Sequence, residues 1–134
     1  MTVVVAMDGP SGSGKSSTAK AIAKRAGWLY LDTGALYRAA TWLAIKKAID
    51  SADELLIALK SSPILFKTDP SNPITFCGGV DVSEAIRSAE VTSAVSRVSS
   101  WPELRKELVA LQRVIIESAK KGIVVEGRDI GTVV

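Results

Sequence analysis

Near the amino end, eight residues from Gly9 to Ser16, GPSGSGKS, follow the apolar run VVVAM and precede a stretch with helical spacing. They fit G-x-x-x-x-G-K-[ST], a loop whose successive backbone N–H groups form a cup for phosphate oxygens and whose following helix adds its positive end. Gly9, Gly12 and Gly14 would weaken a helix or strand, because each loses more backbone freedom on folding than other residues do. Side chains at these positions would obstruct a phosphate, so phosphate binding offsets that loss. The reading assigns Gly9, Pro10, Ser11, Gly12, Ser13, Gly14, Lys15, Ser16 and Ser17 to a nucleoside triphosphate. Lys15 would bridge the β- and γ-phosphates, and the Ser16 hydroxyl would ligate magnesium. The plainer alternative is a glycine-rich turn between strand and helix.

The rest of the composition narrows the chemistry. The chain has 134 residues, 47% hydrophobic and 23% charged, the make-up of one globular domain. With no histidine, His triads, His zinc sites and histidine general bases are excluded, leaving carboxylates, cations and backbone. The single cysteine, Cys77, cannot form an intrachain disulfide, which favours a reducing compartment. A net charge of +3 suits an anionic small molecule as well as nucleic acid, and no dense Lys/Arg tract favours the nucleic acid polymer. Apolar runs fall far short of the roughly 20 residues a spanning helix needs, and the first residues read as a strand rather than a leader. A cytoplasmic location without membrane attachment is expected.

These residues need a frame, and the chain reads as alternating strands and helices, an α/β layered fold. Thr2 to Met7 has the continuous β-branched pattern of a strand covered on both faces of a parallel sheet. Lys15 to Ala26 is a helix with Gly27 at its C′ position. Trp28 to Asp32 is a second strand, and Gly34 opens a helix to about Ile49. Ser51 and Glu54 form a capping box for a short helix ending before Pro63. From Ile64 to Val82 the texture becomes that of a small antiparallel insertion, with turns at TDPSNP and Gly78-Gly79. Ser83 to Ser99 reads as helix. Ser100 caps a longer one, with Pro102 in its first turn and Gly122 closing it. Ile123 to Glu126 is a third buried strand.

The loop alone does not select a reaction. The D-x-x-G and N-K-x-D signatures of GTPases do not occur, and the third strand ends VVEGRD rather than in the Asp-Glu of ring ATPases. Kinases of small acceptors need cations for a second anion. LDTGALYR (Leu31 to Arg38), SRVSSWPELRKELVALQR (Ser96 to Arg113) and EGRDIGTVV (Glu126 to Val134), together with GPSGSGKSS, closely resemble bacterial cytidylate kinases, members of the nucleoside monophosphate kinases. VDVSEAIR (Val80 to Arg87) resembles part of that family's insertion in the monophosphate-binding region, which would span residues 33–100 of a single P-loop domain. The resemblance implies a P-loop parallel sheet flanked by helices and ATP-dependent, magnesium-requiring phosphorylation of CMP and dCMP by a monomer.

It also implies site residues. Thr33 and Arg38 would face the acceptor, the Arg38 fork meeting a phosphate bidentately. Arg128 would be a second cation for that phosphate, and Lys15, Arg38 and Arg128 the catalytic set. Ser96, Arg105 and Asp129 would contact cytosine. A carboxylate accepts from the exocyclic amine and a guanidinium donates to N3 or O2, groups that uracil partly reverses. Without the resemblance, Ser96 and Arg105 read as solvated helix residues, and a solvated helix arginine is the plainer alternative for Arg38, whereas Asp129 follows a strand end, where ligands of parallel sheets gather. The family continues beyond the length seen here into further strands, an arginine-bearing lid and a final helix. The sheet formed by residues 1–134 is therefore expected to be incomplete, with an uncovered apolar edge, and this stretch alone to be inactive. A kinase of a sugar or carboxylic acid, and a nucleotide-binding module without catalysis, are the rival readings.

Other residues have plainer roles. Cys77 reads as a small apolar filler, and Trp28, Trp42 and Trp101 as core or core-edge anchors. Lys46, Lys47, Lys120 and Lys121 read as solvated helix ends. Asp8 either lies behind the magnesium or bonds a loop N–H.

Overall fold

The β-branched run near the amino end becomes β1 (Val3–Asp8) and the Ala-rich segment after the glycine loop becomes α1 (Lys15–Ala26). There follow β2 (Leu29–Asp32), α2 (Thr33–Lys46), α3 (Ala52–Ser61), β3 (Ile64–Lys67), β4 (Ile74–Cys77), β5 (Val80–Asp81), a 3₁₀ turn (Ala85–Arg87), α4 (Ala89–Ser99), α5 (Pro102–Ser118) and β6 (Gly122–Gly127). The computed structural model describes residues 3–8 and 15–127, with backbone alone for Asp8, Lys15 and Ser16. Two compact units emerge: Met1–Gly34 with Lys67–Pro73 and Val109–Val134, and Ala35–Phe66 with Ile74–Leu108.

The first unit holds a parallel sheet in the order β1-β6-β2. Val3 pairs with Gly122 through to Asp8 with Gly127, and Leu29 with Ile123 through to Asp32 with Glu126. β6 is central, and Ile123, Val124 and Val125 are wholly buried, as an unbroken apolar run requires. α1 packs on β6 and β2, with the small side chains of Ala19 and Ala23 buried. Gly27 takes φ +73°, and the Gly27 and Trp28 N–H groups donate to the Lys24 and Ala23 carbonyls, closing the helix as a Schellman turn. Trp28 then lays its ring on the backbone of Gly122, where a Cβ would fall 2.5 Å from Cδ2. On β2's outer side, the Tyr30 N–H donates to the Thr68 carbonyl at 2.9 Å.

One expectation is overturned in this unit. β1 is not covered on both faces: Val3 and Val4 are 46% and 44% exposed. Its sheet partner among the described residues is β6 alone, so an apolar run here marks an open edge.

The second unit buries Ala35, Leu36, Ala39, Ala40, Leu43 and Ala44 of α2. α2 ends at Lys46, short of Ile49, because Ala48 adopts φ +52° and the Ile49 N–H turns back to the Ala44 carbonyl. This is the closure Gly27 makes, built on an alanine that pays about 1–2 kcal/mol for the left-handed conformation. Ser51 caps α3, its Oγ accepting from the Glu54 N–H at 3.3 Å. β3, β4 and β5 form a three-stranded sheet, and β4 and β5 are joined antiparallel by Gly78 and Gly79 at φ +60° and +79°, the two positive angles of a type I′ turn. Cys77 is buried beneath it as expected, its Sγ donating to the Ser62 carbonyl at 3.4 Å, and burial pushes the thiol pKa up.

The stretch from Ser83 to Ser99 is not one helix. Ser88 is extended and caps α4 through its Oγ and the Val91 N–H, leaving the 3₁₀ turn before it. Ser100 ends α4 rather than starting α5: its hydroxyl donates to the Arg97 carbonyl, and the Arg105 N–H reaches Trp101 instead. Gly122 opens β6, so Lys120 and Lys121 lie in the connection after α5.

Candidate functional site

In a parallel sheet the loops that bind ligands leave from the carboxyl ends of the strands. The register sets Asp8 beside Gly127 and Glu126 beside Asp32, so the segment after Asp8, the start of α2 and the segment after Gly127 leave one edge of one sheet. The expected phosphate loop follows Asp8 and runs into α1 at Lys15. Gly9, Pro10, Ser11, Gly12, Ser13, Gly14, Arg128 and Asp129, with the side chains of Asp8, Lys15 and Ser16, lie outside the described residues. Ser17 is exposed in the first turn of α1.

At the same edge Thr33 is 4% exposed, and its Oγ1 donates to the Glu126 carbonyl at 2.9 Å. The Glu126 side chain is itself buried and accepts from the Tyr30 hydroxyl. The Lys20 ammonium stands 5.8 Å from the centre of the Tyr30 ring. A buried carboxylate is costly unless it is hydrogen-bonded, so this arrangement ties the end of β2 to the end of β6 directly before Arg128 and Asp129. Sequence reasoning singled out neither Tyr30 nor Glu126. The available signal was an acid closing the apolar strand IVVE.

The second unit carries Arg38, Ser96 and Arg105. Arg38 is half-buried, and its Nη1 donates to the Ile86 carbonyl at 3.1 Å and to Thr92 Oγ1 at 3.0 Å. Ser96 is exposed four residues beyond Thr92, so it shares that face of α4, about 6 Å further along the axis. The fold thus brings Arg38 and Ser96 to one helix face. Arg105 is exposed on α5, its guanidinium without a hydrogen-bonding or ionic partner among the described residues. Next to Ser96, Arg97 pairs with Asp50 and lies over the Trp101 ring, tying the end of α4 to the segment before α3. Thr92 escaped notice in the sequence, where a helical hydroxyl four residues before Ser96 was the only cue.

Among the described residues no group of three or more acidic or cysteine side chains is placed to hold a metal ion, and no helix is long and apolar enough to cross a membrane.

The family model for cytidylate kinase matches residues 5–134. The chain belongs to the cytidylate kinase family. The cytidylate kinase of Streptomyces avermitilis is 54% identical over 134 residues, covering 98% of this chain and 58% of the relative. That of Streptococcus mutans serotype c is 51% identical over 138 residues, covering 100% and 60%. The chain thus spans about three fifths of the length of the curated relatives it matches. Its α/β architecture, with a helix-flanked parallel sheet and a small separate sheet, is that of a P-loop member of this family.

Proposed function

We infer that the protein transfers the γ-phosphoryl group of ATP to CMP and dCMP. The reading rests on family membership, and the structural observation that supports it is the shared carboxyl edge, where β1 ends at Asp8 beside Gly127 of β6 and β2 ends at Asp32 beside Glu126. Phosphoryl transfer of this kind is positioning and charge stabilisation rather than covalent chemistry.

The loop from Gly9 to Ser17 cradles the ATP phosphates, and Lys15 follows the charge that develops between the β- and γ-positions. Ser16, in the first turn of α1, would hold the magnesium that accompanies ATP. That fits a chain whose described residues offer no acidic cage of their own, since magnesium is commonly held through substrate phosphates. When bound, the ion neutralises phosphate oxygens. Arg38 and Arg128 neutralise the acceptor phosphate and, with Lys15, form the catalytic set. Thr33 lines the acceptor near the strand ends, while Ser96, Arg105 and Asp129 read cytosine. The same reading carries a cytoplasmic, monomeric enzyme that acts on free nucleotides.

The test is ADP formation by the full-length protein with ATP, magnesium and each of CMP, dCMP, UMP and AMP. CMP and dCMP should far exceed the other two. Acceptor-independent ADP release, or turnover with a sugar or carboxylic acid instead, would overturn the assignment.

A further inference from the structure

Arg38 is fixed at one end of its guanidinium and open at the other. Nη1, the nitrogen on the Cδ side, carries two hydrogens, and the Ile86 carbonyl and Thr92 Oγ1 accept both, at 3.1 and 3.0 Å. Nε–H and the adjacent Nη2–H have no partner among the described residues. These two N–H groups are parallel, the side-on fork that matches two oxygens of one phosphate. A single bond to the Ile86 carbonyl would leave the guanidinium plane free to pivot about that contact, and the second bond stops the pivot. An arginine held in this way has less freedom to lose when its ligand arrives.

We propose that Thr92 is a positioning residue that aims the free fork of Arg38 at the acceptor's phosphate, so that one face of α4 orders the acceptor, its phosphate end toward Thr92 and its base end toward Ser96. This deepens the function inferred above and rests on it. Thr92 touches no reacting atom in this account and acts through Arg38. Because Thr92 is exposed, and threonine and valine have nearly equal helix propensity, its hydroxyl can be removed without disturbing the fold.

The experiment compares Thr92→Val and Thr92→Ser with the parent in the full-length protein, titrating CMP, cytidine and ATP by calorimetry and measuring KM for CMP and ATP. The parent should bind CMP more tightly than cytidine. Thr92→Val should weaken CMP about three- to tenfold, the usual worth of one hydrogen bond, and raise KM for CMP, with cytidine and ATP unaffected. Thr92→Ser, which keeps the hydroxyl, should restore the parent values. If Thr92→Val binds CMP as the parent does, or weakens cytidine equally, the positioning role is overturned while the kinase assignment stands. If the parent fails to distinguish CMP from cytidine, both are overturned.

Discussion

Gly122→Ala tests how closely the first unit is packed at the start of its central strand. A Cβ there would sit 2.5, 2.6 and 2.9 Å from Cδ2, Cε2 and Cγ of Trp28, whereas carbon atoms rest about 3.5–4.0 Å apart. The obstructing atoms belong to the ring fusion and its root, so the whole indole must withdraw by about 1 Å. Overpacking of this kind costs about 1–3 kcal/mol. Replacing a strand glycine returns about 0.5–1 kcal/mol by lowering unfolded-state freedom. The net loss should be about 1–2 kcal/mol, a fall in Tm of roughly 3–10 °C. Thermal and urea unfolding followed by circular dichroism measure it. In a Trp28→Ala background the clash is gone, and Gly122→Ala should become neutral or slightly stabilising, a coupling of about 2 kcal/mol in the double-mutant cycle. A single variant as stable as the parent, or a loss undiminished in the Trp28→Ala background, would refute the packing argument.

Lys15→Ala should abolish CMP-dependent ADP formation and weaken ATP binding while leaving the melting curve near the parent's; unchanged kinetics would remove Lys15 from the phosphate site. Asp129→Asn should lose preference for CMP over UMP, because an amide can turn a donor toward the uracil carbonyl that a carboxylate repels; competition kinetics with both acceptors decide it. Residues 1–134 expressed alone should bind ATP but turn over CMP far below the roughly 1–100 per second of ordinary kinases, and should self-associate through the open edge of β1, as sedimentation would reveal. Cys77 has a raised thiol pKa, so its contribution to stability is full below its ordinary value of 9.0 and lost as pH rises from there through the folded value. The Tm of the parent should therefore fall more steeply between pH 8 and 10 than that of Cys77→Ala.

The elements most legible in the sequence were those with local punctuation. Gly27 announced the end of α1, Ser51 with Glu54 the start of α3, and Gly78-Gly79 the hairpin, and each is found doing that work. What misled was a rule applied without its usual residue. α2 stops on Ala48 in a conformation that glycine normally supplies, so nothing in the composition marked it. Ser100 and Ser88 are both plausible caps by type, and only the path of the chain decides that Ser88 starts a helix while Ser100 finishes one. At the candidate site, the family resemblance pointed to Thr33 and Arg38, but their supports could not be read the same way. Glu126 supports Thr33 from 93 residues away, and Ile86 and Thr92 hold Arg38 from 48 and 54 residues away. Such pairings are products of tertiary packing, which no local pattern encodes.

The central position of β6 has a consequence for biosynthesis. Its two neighbours in the sheet lie near the amino end of the chain, and neither pairs with the other. At ribosomal speeds of about 5–20 residues per second, β1 waits roughly 6–24 s for a partner made about 120 residues later. The stretch from Ala35 to Leu108, which contains the whole of the second unit, has by then been completed. The nascent chain therefore carries an apolar, unpaired strand until β6 has been made. The edge that frames the phosphate loop is assembled only when β6 is inserted, so nucleotide binding on the ribosome should appear late and abruptly.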